Sequence, residues 1–446
     1  MKYFVLVMIM CGFYIIYNLL DLSEWEGLYQ ILCFVVFMSA FLRLKVKGKL
    51  LTGLLLFGGS LIHFYYGNSG VELLEGITQN LALLSIILLA PLISIPLKQE
   101  GVIQSVVSKL VQVQHEPKKM FYGISSFVFL MSPILNMGSL RIVHSFIGDI
   151  KVNRKLLSNA YYQGFTPAVL WSPFFASVGM VLYLTEISYL SYLPIGLVFV
   201  VIQIILAVLL LNYSGEKLST EAEISSVKFR DFYNTKLVLY VIGLIMLLVS
   251  LELMTNYSML LLVSIMCVSV PIVYNLIVNK WGVFYKEFQL YKKHVSSFSS
   301  LEISLFLSAG LFGNALLHTP ITDILKTAII WSTSKSVFLL FFLIIVLVTL
   351  VAMMGIHQIV IIPIILTLLI SPDVGVNLYS AAFMCIFTWM FSAALSPLNA
   401  LNIIISQCVR NNGLTVAYRW NGLFFAGVFV MAFVFVYLID ILQLQP

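Results

Sequence analysis

A single arginine stands inside a long apolar run of this chain. Arg141 follows Asn136-Met137-Gly138-Ser139 closely, in a stretch (120–147) that carries no acidic residue. Its guanidinium stays charged and its planar fork of donors can hold a carboxylate or phosphate with two bonds. A charge at membrane depth is costly, so an intramembrane arginine reads first as a functional residue. The competing reading has Arg141 face a cytoplasmic vestibule or hold backbone carbonyls at the turn. A related place later in the chain, Met354-Gly355-Ile356-His357-Gln358, offers His357 and Gln358. Histidine titrates near neutrality and would carry a proton if coupling used one; otherwise it is a satisfied hydrogen-bonding residue.

Two Ser-Pro pairs complete the set. Ser172-Pro173 precedes Ser177, and Ser396-Pro397-Leu398-Asn399 precedes Asn402, each inside an apolar segment. Proline cannot donate a backbone hydrogen bond and clashes with the preceding turn, so a helix breaks near Pro173 and near Pro397. In lipid such a break is tolerated only where it is buried in protein or lines a cavity. The exposed N–H groups of a half-helix suit an anion, and unwound carbonyls suit a cation such as Na+. On this reading the substrate meets Asn136, Gly138, Ser139, Arg141, Ser172, Ser177, Gly355, His357, Gln358, Ser396, Asn399 and Asn402. A Na+ ion would sit near Asn136, Ser172, Ser396 or Asn399. The plainer reading is that the serines and asparagines cap interrupted helices.

The elements that must position these residues are membrane helices. The 446 residues are 61% hydrophobic and 10% charged, with apolar runs of about 20 residues recurring along the chain. The longest polar stretch, 212–236, is too short to bury a core. Residues 1–20 read as an extra N-terminal span rather than a removed signal. Spans follow at 28–42, 50–66 and 77–97, then an amphipathic segment at 99–114. Lys118 and Lys119 precede the run 120–147, and Lys151, Arg154 and Lys155 follow it. Basic flanks on both sides predict a re-entrant hairpin that enters and leaves from the cytoplasm. A broken helix at 158–184 and a span at 189–212 complete the first repeat (28–212). After a linker (213–236), the second repeat (237–438) holds spans at 237–253, 257–279 and 301–318, with a basic connection between the last two. A connector at 322–334, a hairpin at 335–370, a broken helix at 377–409 and a span at 419–438 follow. The fold class expected is thus all-α and polytopic, with about 11 transmembrane helices in two inverted repeats. The N-terminus is cytoplasmic and the C-terminus extracytoplasmic.

Short echoes support the repeat. Met137-Gly138 and Ile142-Val143 align with Met354-Gly355 and Ile359-Val360; Ser172-Pro173-x-x-Ala176 aligns with Ser396-Pro397-x-x-Ala400. With the shared order of hairpin, broken helix and final span, the chain resembles the ion transporter superfamily, which includes divalent anion/sodium symporters and arsenite permeases. That resemblance implies a homodimer and an elevator-type movement of the hairpin-bearing domain. The symporters' Ser-Asn-Thr hairpin signatures are replaced here by Asn136-Met137-Gly138-Ser139 and Gly355-Ile356-His357-Gln358. Sodium coupling and dicarboxylate specificity therefore do not carry over.

The absences narrow the function. No Asp or Glu falls in either hairpin or either broken helix, which argues against cation/proton antiport. No phosphate-binding Gly-Lys-Ser, His-Glu-x-x-His or Gly-x-Ser-x-Gly motif occurs, so neither an ATP-driven pump nor a familiar hydrolase is indicated. The five cysteines are scattered through apolar segments with no Cys-x-x-Cys pair. There is no basic domain for nucleic acid. The reading is a permease of the cytoplasmic membrane, not an enzyme, that moves a small anionic solute with no cofactor beyond Na+ or H+ as coupling ion. The alternative is a membrane-embedded enzyme or assembly factor acting on a lipid-linked phosphate.

Overall fold

A computed structural model describes residues 2–102, 105, 108, 110, 112–113, 116–147, 153–214 and 235–442. The amphipathic segment expected at 99–114 and the linker at 213–236 lie largely outside them. Every regular element among the described residues is a helix. In lipid this is the only open-ended way to satisfy each backbone N–H and C=O within one segment. Eight of these helices are long and apolar enough to cross a membrane, so this is a multi-pass membrane protein. The helix Glu26–Phe41 is short, and Val46–Tyr65 carries Lys47 and Lys49, so neither is among the eight.

The first of two compact units comprises Met1–Pro96, Glu252–Trp331 and Ile359–Val374. At its centre the helix Ser300–Leu317 packs on Val46–Tyr65 and Glu26–Phe41. Small residues allow the closest approaches, as is usual where membrane helices pack without a hydrophobic driving force. A Cβ at Gly310 would lie 2.7 Å from the Gly76 carbonyl oxygen. The basic connection expected after span 257–279 is instead an 18-residue helix, Trp281–Phe298. Phe284, Phe288, Tyr291 and Val295 recur at helical spacing. Phe288 and Tyr291 meet Phe4 edge-on, and the Tyr291 hydroxyl donates to the Leu88 carbonyl at 3.0 Å. The lysines occupy the remaining face, and their charge hid the periodicity.

The second unit comprises Leu97–Leu251, Ser332–Gln358 and Gly375–Pro446. Within it the helix Pro117–Leu135 gives way to Gly138–Ile147 at Asn136, whose φ is +50°. Asparagine tolerates this left-handed backbone because its short side chain bonds locally: Oδ1 accepts from the Met137 N–H at 2.7 Å. The chain reverses there. Both arms then reach the same level of the helix Arg154–Val169, where Ser125 Oγ donates to the Ala160 carbonyl at 3.2 Å and His144 Nδ1 lies 3.2 Å from the Tyr161 hydroxyl.

The two Ser-Pro segments interrupt their helices. Arg154–Val169 resumes as Ala176–Thr185, and Leu378–Leu395 resumes as Ala400–Val409. From Tyr379 to Leu395 every residue is buried, as an all-round apolar helix must be. Phe383 and Phe387 of that helix cluster with Phe199 of Tyr189–Ser214, and Phe435 of the final helix Gly422–Ile441 closes the group. The final helix begins after one π-helical turn, Thr415–Trp420, and so runs later than the span expected at 419–438.

Candidate functional site

The second break is the polar centre of its unit. Ser396 Oγ donates to the Ala352 carbonyl at 2.7 Å, where the helix Val337–Met353 ends. Asn399 is the N-cap of Ala400–Val409: its Oδ1 accepts from the Leu401 N–H at 3.1 Å. Its Nδ2 donates to Gln358 Oε1 at 3.1 Å, and Gln358 Nε2 donates to Ser392 Oγ at 3.1 Å. Ser392, Ser396, Asn399 and Gln358 are all buried, which leaves no water to replace these bonds. Gly355, at φ +89°, makes the turn, and a Cβ there would meet Leu398. His357 is half-buried with its ring edge-on to Trp389, centroids 5.9 Å apart.

Asn402 brackets this break from the other side. Its Nδ2 donates to the Ala394 carbonyl at 3.2 Å and to the Gly413 carbonyl at 3.3 Å, and its Oδ1 accepts from Ser406 Oγ at 2.9 Å. The amide is fully engaged with the protein's own groups. The Tyr162 hydroxyl, on the first broken helix, also donates to the Ala394 carbonyl at 3.2 Å. That bond ties the two broken helices together.

The first break is closed on itself. Its freed carbonyls at Val169, Leu170 and Trp171 accept from Ser177 Oγ (3.1 Å), the Tyr192 hydroxyl (3.0 Å) and the Tyr189 hydroxyl (3.1 Å). Ser172 Oγ accepts from the Phe174 N–H at 3.3 Å, and Pro173 is buried beside it. Ser172 and Ser177 therefore serve the capping role that proline breaks demand. Tyr192→Phe should leave the buried Leu170 carbonyl unpaired at a cost of about 1–3 kcal/mol. A lowered thermal midpoint of the purified protein checks this; an unchanged midpoint would mean that another donor covers Leu170.

The first hairpin turn is likewise self-contained. Ser139 Oγ donates to the Asn136 carbonyl at 2.7 Å and lies 2.9 Å from Ser132 Oγ. Among the described residues no hydrogen bond joins Asn136, Gly138 or Ser139 to Ser172 or Ser177. Arg141 is exposed at the surface of its unit rather than enclosed by it. It has no ion-pair partner among the described residues.

Two participants carried no clear sequence signal. Tyr162 is one of many tyrosines. Gly413 closes against Asn402 and Pro397 in a way only the fold reveals. Ser392 could have been found, since it stands one helical turn before Ser396 on the same face.

Fold and site together define an all-helical, multi-pass membrane protein with two proline-broken helices bonded to one another in a single unit. No family model matches the chain, and no curated protein matches it.

Proposed function

We propose that this protein is a secondary active transporter for a small anionic solute, with about 11 spans in two inverted repeats. The observation that carries the reading is the junction at the second break. There a hairpin-like turn (Gly355–Gln358) and an unwound helix (Ser396–Asn399) are joined by buried amide and hydroxyl groups, and Tyr162 links them to the first broken helix. Broken helices in corresponding positions of two halves are where transporters place substrate and coupling ion. No carboxylate lies in either broken helix or either hairpin segment, which leaves the local charge positive and suits an anion. The same compact unit holds the 117–147 hairpin and both broken helices, while the N-terminal spans belong to the other unit. An elevator mechanism needs such a division between a site-bearing body and a scaffold. The membrane is the cytoplasmic one, with a cytoplasmic N-terminus, and the working form is a homodimer.

The test is uptake by purified protein in liposomes, screened with labelled anions under imposed Na+ and H+ gradients. Accumulation that requires one of the gradients, and is lost in Arg141→Ala while the protein stays folded, supports the reading. Turnover of a lipid-linked phosphate without accumulation would replace it with the membrane-enzyme alternative. Normal uptake by Arg141→Ala would remove Arg141 from the site.

A further inference from the structure

Three cations gather at one end of the first unit. Arg43 follows the helix Glu26–Phe41, and its Nη1 donates to the Ser296 carbonyl of Trp281–Phe298 at 3.1 Å. Its guanidinium also lies over the Tyr3 ring, 3.9 Å from the centroid. Lys292 and Lys293 precede Ser296 by four and three residues, so helical spacing sets both beside the place where Arg43 is tied down. Lys292 Nζ lies over the Phe4 ring at 5.9 Å. Among the described residues no ion pair joins these three cations to a carboxylate. Glu287, the acid of this helix, stands five and six residues before the two lysines and so on a different face. The level is that of a membrane–water boundary. Lys2–Leu20 and Ser300–Leu317, both able to cross a membrane, begin here, and Ser300 Oγ donates to the Tyr3 hydroxyl at 3.2 Å. Apolar side chains left uncovered by the protein rim the cations: Leu42 is 67% exposed, Val46 82% and Phe298 65%. The first turn of Val46–Tyr65 reaches the same corner, since a Cβ at Gly48 would touch Leu301.

We propose that Arg43, Lys292 and Lys293 hold the phosphodiester of an anionic phospholipid, whose acyl chains cover Leu42, Val46 and Phe298. One guanidinium donor is spent on Ser296, which fixes the fork in place and leaves its other donors for phosphate oxygens. The two ammonium groups add charge within one helical turn. A soluble phosphate would complement the cations and leave the apolar rim in water, and an acidic protein segment would do the same. A zwitterionic lipid would bring an ammonium of its own to the cluster. An anionic lipid meets both halves of the surface, and each Lys or Arg near an anionic leaflet strengthens the association about fivefold. The site lies in the unit that holds neither broken helix, so it stands or falls independently of the transport reading.

Native mass spectrometry of the detergent-purified full-length protein, titrated with lipid, measures this binding. Phosphatidylglycerol should bind about tenfold or more tightly than phosphatidylcholine with the same acyl chains. The double variant Lys292→Gln/Lys293→Gln keeps the Arg43–Ser296 bond and should lose most of that preference, with phosphatidylcholine binding unchanged. The control Lys45→Gln/Lys47→Gln removes the same charge from the adjoining connection and should retain the preference. Phe298→Ser should weaken phosphatidylglycerol while leaving the preference for its headgroup. Equal affinities of the wild type for the two lipids overturn the site without need of any variant. An equal loss in the control would reduce it to a diffuse basic surface. Displacement of phosphatidylglycerol by glycerol phosphate would overturn the assignment to a lipid, since that ion carries no chains. Dimers that dissociate in Lys292→Gln/Lys293→Gln at an unchanged lipid count would assign the patch to a second copy of the chain instead.

Discussion

Gly164→Leu is expected to prevent the second unit from folding, and Gly164→Ala to destabilise it measurably. A Cβ at this position would lie 2.5 Å from the Ser125 carbonyl oxygen and 3.0 Å from Ser125 Cα and Val128 Cβ. Two of those atoms are backbone, so no side chain can swing aside to make room. The helices cannot easily part either, because Ser125 Oγ is bonded to the Ala160 carbonyl one turn away. From Tyr161 to Val169 every residue is buried, so displacement on the far side meets packed protein. Overpacking by a few methylenes costs about 1–3 kcal/mol, and a whole leucine side chain exceeds that. The sign of the alanine result is diagnostic. In a helix with free space, Gly→Ala is favourable by about 1 kcal/mol. Gly243, with nothing within 4 Å of its added Cβ, supplies that case. Thermal midpoints of the detergent-purified variants should therefore move in opposite directions: up or unchanged for Gly243→Ala, down for Gly164→Ala. A rise for both would mean that the hairpin arm does not press on this helix.

What the sequence made legible was covalent and local. Pro173, Pro397 and Met354-Gly355 mark real interruptions, because a missing N–H and a glycine turn act wherever the chain goes. The left-handed Asn136 was readable for the same reason, as the polar residue before Met-Gly in an apolar run. The partners at each interruption were not readable. Ser172 and Ser396 occupy equivalent positions beside a proline and each accepts from the N–H two residues on, at Phe174 and Leu398, yet Ser396 also donates to the Ala352 carbonyl of another helix. That difference comes from tertiary packing: Tyr189 and Tyr192 already fill the acceptors of the first break, whereas the second faces the end of another helix. Asn402 shows the same limit, since its spacing from Pro397 suited a ligand contact and its amide instead clamps Ala394 to Gly413. Trp281–Phe298 was legible in its aromatic spacing but hidden by its lysines.

Asn399→Asp should leave the fold intact and abolish anion uptake, which separates a capping residue from a residue that meets the solute. Aspartate is nearly isosteric and keeps the N-cap, accepting from the Leu401 N–H as asparagine does and gaining from the positive end of the helix Ala400–Val409. The neighbouring network can adapt. If the Gln358 amide turns over, its Nε2 donates to the new carboxylate and its Oε1 accepts from Ser392 Oγ, which in the wild type accepts from Gln358 and donates to the Trp389 carbonyl at 3.2 Å and would give up that bond. The thermal midpoint should therefore fall less than in Asn399→Ala, because the helix end and the Gln358 donor offset part of the cost of burying the carboxylate. Asn399→Ala, by contrast, should lose the cap at about 0.5–2 kcal/mol and strand the buried Gln358 oxygen at about 1–3 kcal/mol. Combined with Gln358→Ala the loss should fall short of the sum, because the second substitution removes the stranded partner. For transport the order reverses: a fixed negative charge beside a bound anion costs several kcal/mol, so Asn399→Asp should cut initial uptake roughly a hundredfold or more. A folded Asn399→Asp protein that accumulates anion at the wild-type rate would confine Asn399 to capping. The substrate would then have to lie away from the second break.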